Sequence, residues 1–323
     1  MSIVVIWNGQ ASTAADLSAE TVQRDLAEAT GGSVTIEQIT EDHDIGACVK
    51  AAITAGAKTI VAAGGDGTVS AVAALISDSD QVQLGVLPLG TSNSFAAALG
   101  IPAEIGGAIE VIARADCRPI DLAYVTTTEG RKAMVLHCMI GFHADAIANT
   151  ATDSKRRWGV LAYAGSAMRE LANLESFAVE IDTGEHIVKC SANAVAAANL
   201  APIKTVLAHG PSHVLGDDGL IDVTIVAADS MLEAIATGVH LYRQARSGEP
   251  ATRANVGSFS ARTLVITTDP PQQVLVDGEA FGTTPVTIEN IPHALRVLAP
   301  SPPPVEGPPA EASLIGLPDL EVQ

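Results

Sequence analysis

Apolar positions in the first third of the chain fall into short solid runs, separated by longer stretches with a helical period. Ile3–Trp7, Thr59–Ala63 and Leu84–Leu87 are the solid runs, and with Val34–Ile39, where apolar and polar residues mix, they predict strands. Between them a helix is expected from about Leu17 to Ala29, stopped at Gly31-Gly32. Another is expected to start with Asp44 as its cap and run through Ala55, with Gly56 as its stop. A third carries Val69, Val72, Leu75 and Ile76 on one face. This strand–helix alternation predicts a parallel sheet covered by helices, with ligands at the carboxyl ends of the strands.

From about Ile120 the rhythm changes to period two. Strands are expected at Leu122–Thr128, Lys132–Ile140, Glu175–Asp182 and His186–Cys190, with Asp182–Glu185 as a hairpin turn. Later ones are expected at Asn193–Ala198, Ile221–Val226, Leu264–Thr267, Val274–Val276 and Val286–Ile288. Helical patterns interrupt at Trp158–Leu171 and Met231–Arg246. The pattern gives an α/β domain over 1–120, a mostly antiparallel β-rich domain over 121–290, and a proline-rich disordered tail over 301–323.

Composition narrows this further. The chain has 323 residues, 47% of them hydrophobic and only 3% aromatic, so two cores must be built from small aliphatic side chains. No apolar stretch is long enough to span a bilayer, and no cationic segment precedes the first apolar run. The cysteines Cys48, Cys117, Cys138 and Cys190 form no paired motif and read as reduced thiols of a cytoplasmic protein. A formal net charge of −19 argues against nucleic acid as a partner and against broad adhesion to anionic membranes.

The chemistry centres on residues 59–72, where a β-branched run meets Gly64-Gly65-Asp66-Gly67 and then Thr68, a candidate helix cap. Strand, glycine turn and helix in that order aim backbone N–H groups at a phosphate. Asp66 inside such a turn makes sense if a divalent cation lies between it and the phosphates. An ordinary turn using glycine for positive φ is the alternative at this point. The stretch is neither a Walker A loop, lacking Gly-Lys-Ser/Thr, nor a complete GxGxxG fingerprint. His209 and His213 are four apart, but Gly210-Pro211 between them breaks any helix and rules out a zinc pair. Lys155-Arg156-Arg157-Trp158 is a dense basic cluster that suits lipid headgroups or a solvated loop.

GlyGlyAspGlyThr at 64–68 resembles the superfamily signature shared by NAD kinases and the diacylglycerol and sphingosine kinases. ProLeuGlyThrSerAsnSerPheAlaAlaAlaLeuGlyIlePro at 88–102 resembles the PLGTxNDFARxLGIP block of the lipid-kinase branch. ValAspGlyGluAlaPhe at 276–281, followed by ThrProValThrIle and AlaLeuArgValLeuAlaPro, resembles the closing segment of the same enzymes. The chain is therefore similar to the bacterial diacylglycerol kinase-like lipid kinases over its length to about residue 300.

That resemblance implies an NAD kinase-like α/β domain, to which 291–300 returns, and a β-rich lipid-substrate domain. It implies ATP and Mg²⁺, with Asp66 taking part in metal binding and Gly64, Gly65, Gly67, Thr68, Thr91 and Asn93 on the nucleotide side. Asn8 is the residue kept from the family's first loop. Glu279 is implied as the general base that removes the acceptor's proton. Asp121 matches a further family carboxylate. AspAspGlyLeuIleAsp at 217–222 resembles a segment holding a structural Mg²⁺, which makes Asp217, Asp218 and Asp222 candidate ligands. The partners implied are a lipid alcohol and a transient, peripheral membrane contact, and a homodimer stays open. Ser94 and Ala97 replace a usual aspartate and a frequent arginine. Those departures leave a catalytically weak or inactive lipid-binding relative as one alternative, and an NAD kinase-like enzyme as another. The acceptor is open among diacylglycerol, another glycerolipid, a sphingoid base and an isoprenoid-like alcohol.

Overall fold

The computed structural model describes residues 2–12, 17–40, 44–77, 79, 81–141, 176–202, 214–228, 236–237, 240–241, 243, 253–302 and 312–323. The expected helix at Trp158–Leu171, most of that at Met231–Arg246, the Lys155–Trp158 cluster, His209 and His213 lie outside the described residues. The chain divides into two units, Met1–Leu122 with Ile291–Pro304, and Ala123–Asn290 with Val305–Gln323.

The first unit contains β1 (Ser2–Trp7), α1 (Ala19–Thr30), β2 (Ser33–Gln38), α2 (Ile45–Thr54), β3 (Thr59–Gly64), α3 (Asp66–Ile76), β4 (Gln83–Pro88), α4 (Ser94–Ala98), α5 (Ile105–Arg114) and the start of β5 (Cys117–Thr127). Helix α1 is bounded by local chemistry. Ser18 at its N-cap accepts from the Thr21 amide, and Gly31 closes it in the left-handed region. The strands lie in the order β4-β3-β1-β2, every neighbouring pair parallel. β3 is buried along its whole length, which is why it reads as an unbroken apolar run. Because β1, β3 and β4 are adjacent and parallel, the loops after them emerge side by side.

The second unit carries β6 (Gly130–Met134), β7 (His137–Ile140), β8 (Phe177–Asp182), β9 (Ile187–Ala192), β10 (Ala194–Ala198), β11 (Ile221–Val226), β12 (Val256–Ala261), β13 (Thr263–Asp269), β14 (Gln273–Val276), β15 (Glu279–Thr283), most of its pairing from the first part of β16 (Val286–Leu298), and β17 (Glu321–Val322). One sheet runs β12-β11-β10-β7-β14-β15, and the other includes β17-β9-β8-β13-β16. Side chains such as Phe177, Ile181, Ile225, Ile266 and Val274 form a shared core. β16 is a single strand that includes both the expected Val286–Ile288 strand and most of the returning segment 291–300. Its first part pairs antiparallel with β13, and Val297 near its end pairs parallel with Leu84 of β4.

Two further expectations are corrected. Lys132–Ile140 is two strands, β6 and β7, because the amides of Val135, Leu136 and His137 turn to a carboxylate rather than continuing one ladder. The tail is ordered over 312–323, not disordered to its end. Ser313 exchanges backbone hydrogen bonds with Ser258 of β12, and β17 pairs with β9. Leu317 is buried in the core of the second unit, and a Cβ on Gly257 would come within 2.6 Å of its side chain. The proline content that suggested disorder is concentrated before this segment.

Replacing Leu317 with alanine is therefore expected to destabilise the second unit by about 2–5 kcal/mol. Urea unfolding would show this as an earlier midpoint, and an unchanged midpoint would mean that the tail is not packed.

Candidate active site

The loops after β1, β3 and β4 are tied to one another by named contacts. Gly65 is the N-cap of α3, in an extended conformation, and the helix starts at Asp66. The expectation that Thr68 caps this helix is corrected. Thr68 lies buried in the first turn, where its Oγ1 accepts from Asn8 Nδ2 at 3.0 Å. Gly64 has no room for a Cβ because the Thr68 side chain stands against it. A Cβ on Gly90 would meet Gly65 Cα at 2.5 Å, so these glycines let two loop backbones touch.

Polar side chains complete the ties. Asp66 Oδ1 accepts from the Phe95 amide at 3.0 Å, joining α3 to the start of α4. Asn93 sits at φ 47°, in the left-handed region that asparagine tolerates. Its Oδ1 accepts from the Gly90 amide and its Nδ2 donates to the Gly90 carbonyl, each at 2.8 Å. Thr91 Oγ1 donates to Ser12 Oγ at 3.2 Å, and Ser12 Oγ donates to the Leu89 carbonyl at 3.4 Å. Ser12 had not been singled out in the sequence. Gly67 is exposed and Asp66 half-buried. The arrangement presents helix amides and a carboxylate at one place, which suits a phosphate with a divalent cation. Among the described residues no group of three His, Cys, Asp or Glu side chains could hold a metal. A Mg²⁺ fits here through Asp66 with the remaining ligands from phosphate and water, as that ion commonly binds.

In the second unit, Asp277 and Gly278 form the two-residue turn between β14 and β15, both at positive φ, with Val276 opposite Glu279. Asp277 does not face water as a turn residue would. Its carboxylate accepts from the amides of Val135 at 3.0 Å, Leu136 at 2.9 Å and His137 at 3.1 Å. Sequence reasoning missed this role, because the donors lie about 140 positions away. Glu279, next along, is exposed, and its Oε2 pairs with Lys132 Nζ at 2.6 Å.

Asp121 is fully buried in β5 rather than a surface charge, and its Oδ1 accepts from the His293 amide at 2.7 Å. Asp217, Asp218 and Asp222 do not form a three-carboxylate group that could hold a metal by side chains alone. Asp218 is exposed and accepts from the Leu220 amide, forming a local turn. Asp222 is buried within β11 and accepts from Ser260 Oγ at 2.5 Å. Burial pushes its carboxyl up to about 7, against the lowering effect of Ser260. The described cysteines are free, and burial pushes the Cys190 thiol up to about 11.

The diacylglycerol kinase catalytic domain model matches residues 2–125, and the YegS C-terminal NAD kinase beta sandwich-like domain model matches residues 138–299. The chain belongs to the diacylglycerol kinase-like lipid kinases. A "Probable lipid kinase YegS-like" protein of Xanthomonas euvesicatoria pv. vesicatoria is 31% identical over 88% of this chain and 94% of its own length. The protein sll0036 of Synechocystis sp. is 35% identical over 76% of this chain, but the match spans only 55% of that longer protein. A crystal structure of a diacylglycerol kinase from Bacillus anthracis shares the fold, with a TM-score of 0.66 at 19% identity, covering 93% of this chain and 97% of that one. This lipid kinase therefore carries both family domains. The tied loops lie in the first domain, and Asp277 and Glu279 lie in the second. Residues 126–137 and everything past 299 fall outside both matched spans.

Changing Asp277 to asparagine puts an amide donor against a row of donors. Losing a charge-assisted hydrogen bond costs about 1.5–3 kcal/mol, so chemical denaturation of the D277N variant should show a loss of at least that size. Full stability in D277N would mean that the Asp277 carboxylate does not hold these amides.

Proposed function

We propose that this lipid kinase transfers the terminal phosphoryl group of ATP to the hydroxyl of a lipid, with Glu279 as the general base. The observation that carries the reading is the joining of the loops after β1, β3 and β4 through Asn8–Thr68, Asp66–Phe95 and Gly65–Gly90. Phosphoryl transfer depends mainly on positioning and charge neutralisation, and a rigid set of loop amides supplies positioning.

In this reading Gly64, Gly65 and Gly67 let the backbone approach the nucleotide phosphates, and Thr91 and Asn93 fix the neighbouring loop. Asp66 would hold Mg²⁺, and the cation neutralises phosphate charge when bound. Glu279 takes the proton from the acceptor hydroxyl. The acceptor oxygen then forms its bond to the γ-phosphorus as the bond to ADP breaks. At position 94 a serine stands where the related kinases usually have an aspartate. Ser94 would leave more of the metal's coordination to water, which favours slow turnover over none.

The acceptor belongs to the class of lipid alcohols, with diacylglycerol first among them. The compartment in this reading is the cytoplasm. Among the described residues no helix is long and apolar enough to cross a membrane. With a formal charge of −19, contact with a membrane is local and transient, and nucleic acid is not a partner. A homodimer fits the reading equally well.

The test is transfer of label from ATP to extracted lipids, run beside NAD as acceptor. Glu279→Gln should lower turnover about 10²–10⁴-fold, the usual contribution of a general base, while ATP affinity by calorimetry stays as in the wild type. Normal turnover in that variant would end the base assignment. Label on NAD alone would favour the nucleotide-kinase alternative, and no label on any acceptor would favour an inactive relative.

A further inference from the structure

Glu279 is exposed, and an exposed glutamate samples many side-chain conformations. A general base must instead stay within hydrogen-bond reach of one proton. The structure provides a restraint in the hairpin of β5 and β6. Lys132 on β6, opposite Val125, places Nζ 2.6 Å from Glu279 Oε2. The same Nζ lies 5.8 Å from the centre of the Phe281 ring, on the strand that Glu279 opens. The Lys132 side chain is only 29% exposed against 68% for Glu279, so the cation is the more firmly seated partner.

The hairpin also rests on the strand beyond the ion pair. Gly282 of β15 is at φ 75°, and a Cβ there would come within 2.9 Å of Thr127 Oγ1. At the other end of β6, the amides of Val135 and Leu136 are held by Asp277, two residues before Glu279. Backbone and side chain of the candidate base are thus fixed by one hairpin. The neighbouring Arg131 does not share this task, since its guanidinium stacks 3.8 Å from the Tyr124 ring centre and pairs with Glu289.

We propose that Lys132 is a positioning residue for Glu279. Its ammonium holds Oε2 and leaves Oε1 for the acceptor's proton. This deepens the reading given above and rests on it. Lys132 lies in the span 126–137, outside both matched family domains.

The experiment uses the full chain, labelled ATP and a total lipid extract in detergent micelles. Lys132→Met should lower kcat roughly 10–100-fold with KM for ATP nearly unchanged, as expected for a lost restraint on a reacting group. Lys132→Arg should recover most of that loss, and Arg131→Met should match the wild type. In a Glu279→Gln background, Lys132→Met should cause no further loss, because the two residues act as one unit. Melting temperatures should stay near wild type, since exposed ion pairs add little stability. Wild-type kcat in Lys132→Met, or equal losses in the Met and Arg variants, would overturn the proposal. If Glu279→Gln itself turned over normally, the base assignment would fall first. If Glu279→Gln were inactive and Lys132→Met fully active, only the positioning role would fall.

Discussion

Backbone amides that leave a strand ladder need an acceptor, and in this protein a carboxylate supplies it. Between β6 and β7, at Val135–His137, the chain passes from one sheet to the other, and Asp277 accepts from the amides there. A buried amide without a partner costs about as much as a lost hydrogen bond, and a charged acceptor makes a stronger bond than a neutral one. That passage and the Asp-Gly turn are therefore one structure. Neither persists alone, and Glu279 has its place because both are present.

The first domain follows the same rule with other partners. Asp66 takes the Phe95 amide, Asn93 takes the Gly90 amide, and Asp121 takes the His293 amide. Each of these residues belongs to a stretch whose resemblance to kinases would suggest a ligand-binding role first. Their observed partners are main-chain groups of this chain. Binding and architecture are not rival accounts. A phosphate site made of backbone amides needs those amides fixed, and a side chain that fixes one loop can face a ligand through its remaining oxygen.

How much of this could be read in advance follows the range of the interactions. β1, β3 and β4 and the helices between them were legible, because burial on both faces writes continuous apolar runs and Gly31 and Asp44 mark helix ends locally. The motif glycines were legible as a cluster, but Gly90 against Gly65 was not, since nothing local tells which backbones touch. Thr68 was misjudged because Gly65 could start the helix earlier than a side-chain cap would. β12 and β15 were missed. β15 is short and carries Gly282 at a half-exposed position, and β12 sets glycine and two serines irregularly among three apolar residues, so neither has a strong period-two signal. Asp277 and Lys132 could not be found by spacing, because their partners are separated from them by 140 and 147 positions.

The segment past the matched domains packs on the second unit without forming a domain of its own. A sandwich of two antiparallel sheets leaves edge strands whose free N–H and C=O groups invite pairing with other chains. Here β17 pairs with β9 and Ser313 bridges to Ser258 in β12, so one edge of each sheet is engaged by the same twelve-residue stretch described at 312–323. Leu317 fixes the segment between these contacts, and glycine at 257 is what gives it room. Apolar anchoring alone would leave the edges open, and edge pairing alone would be weak for so short a strand. The two together explain why a stretch so close to a proline-rich run is nevertheless held in place.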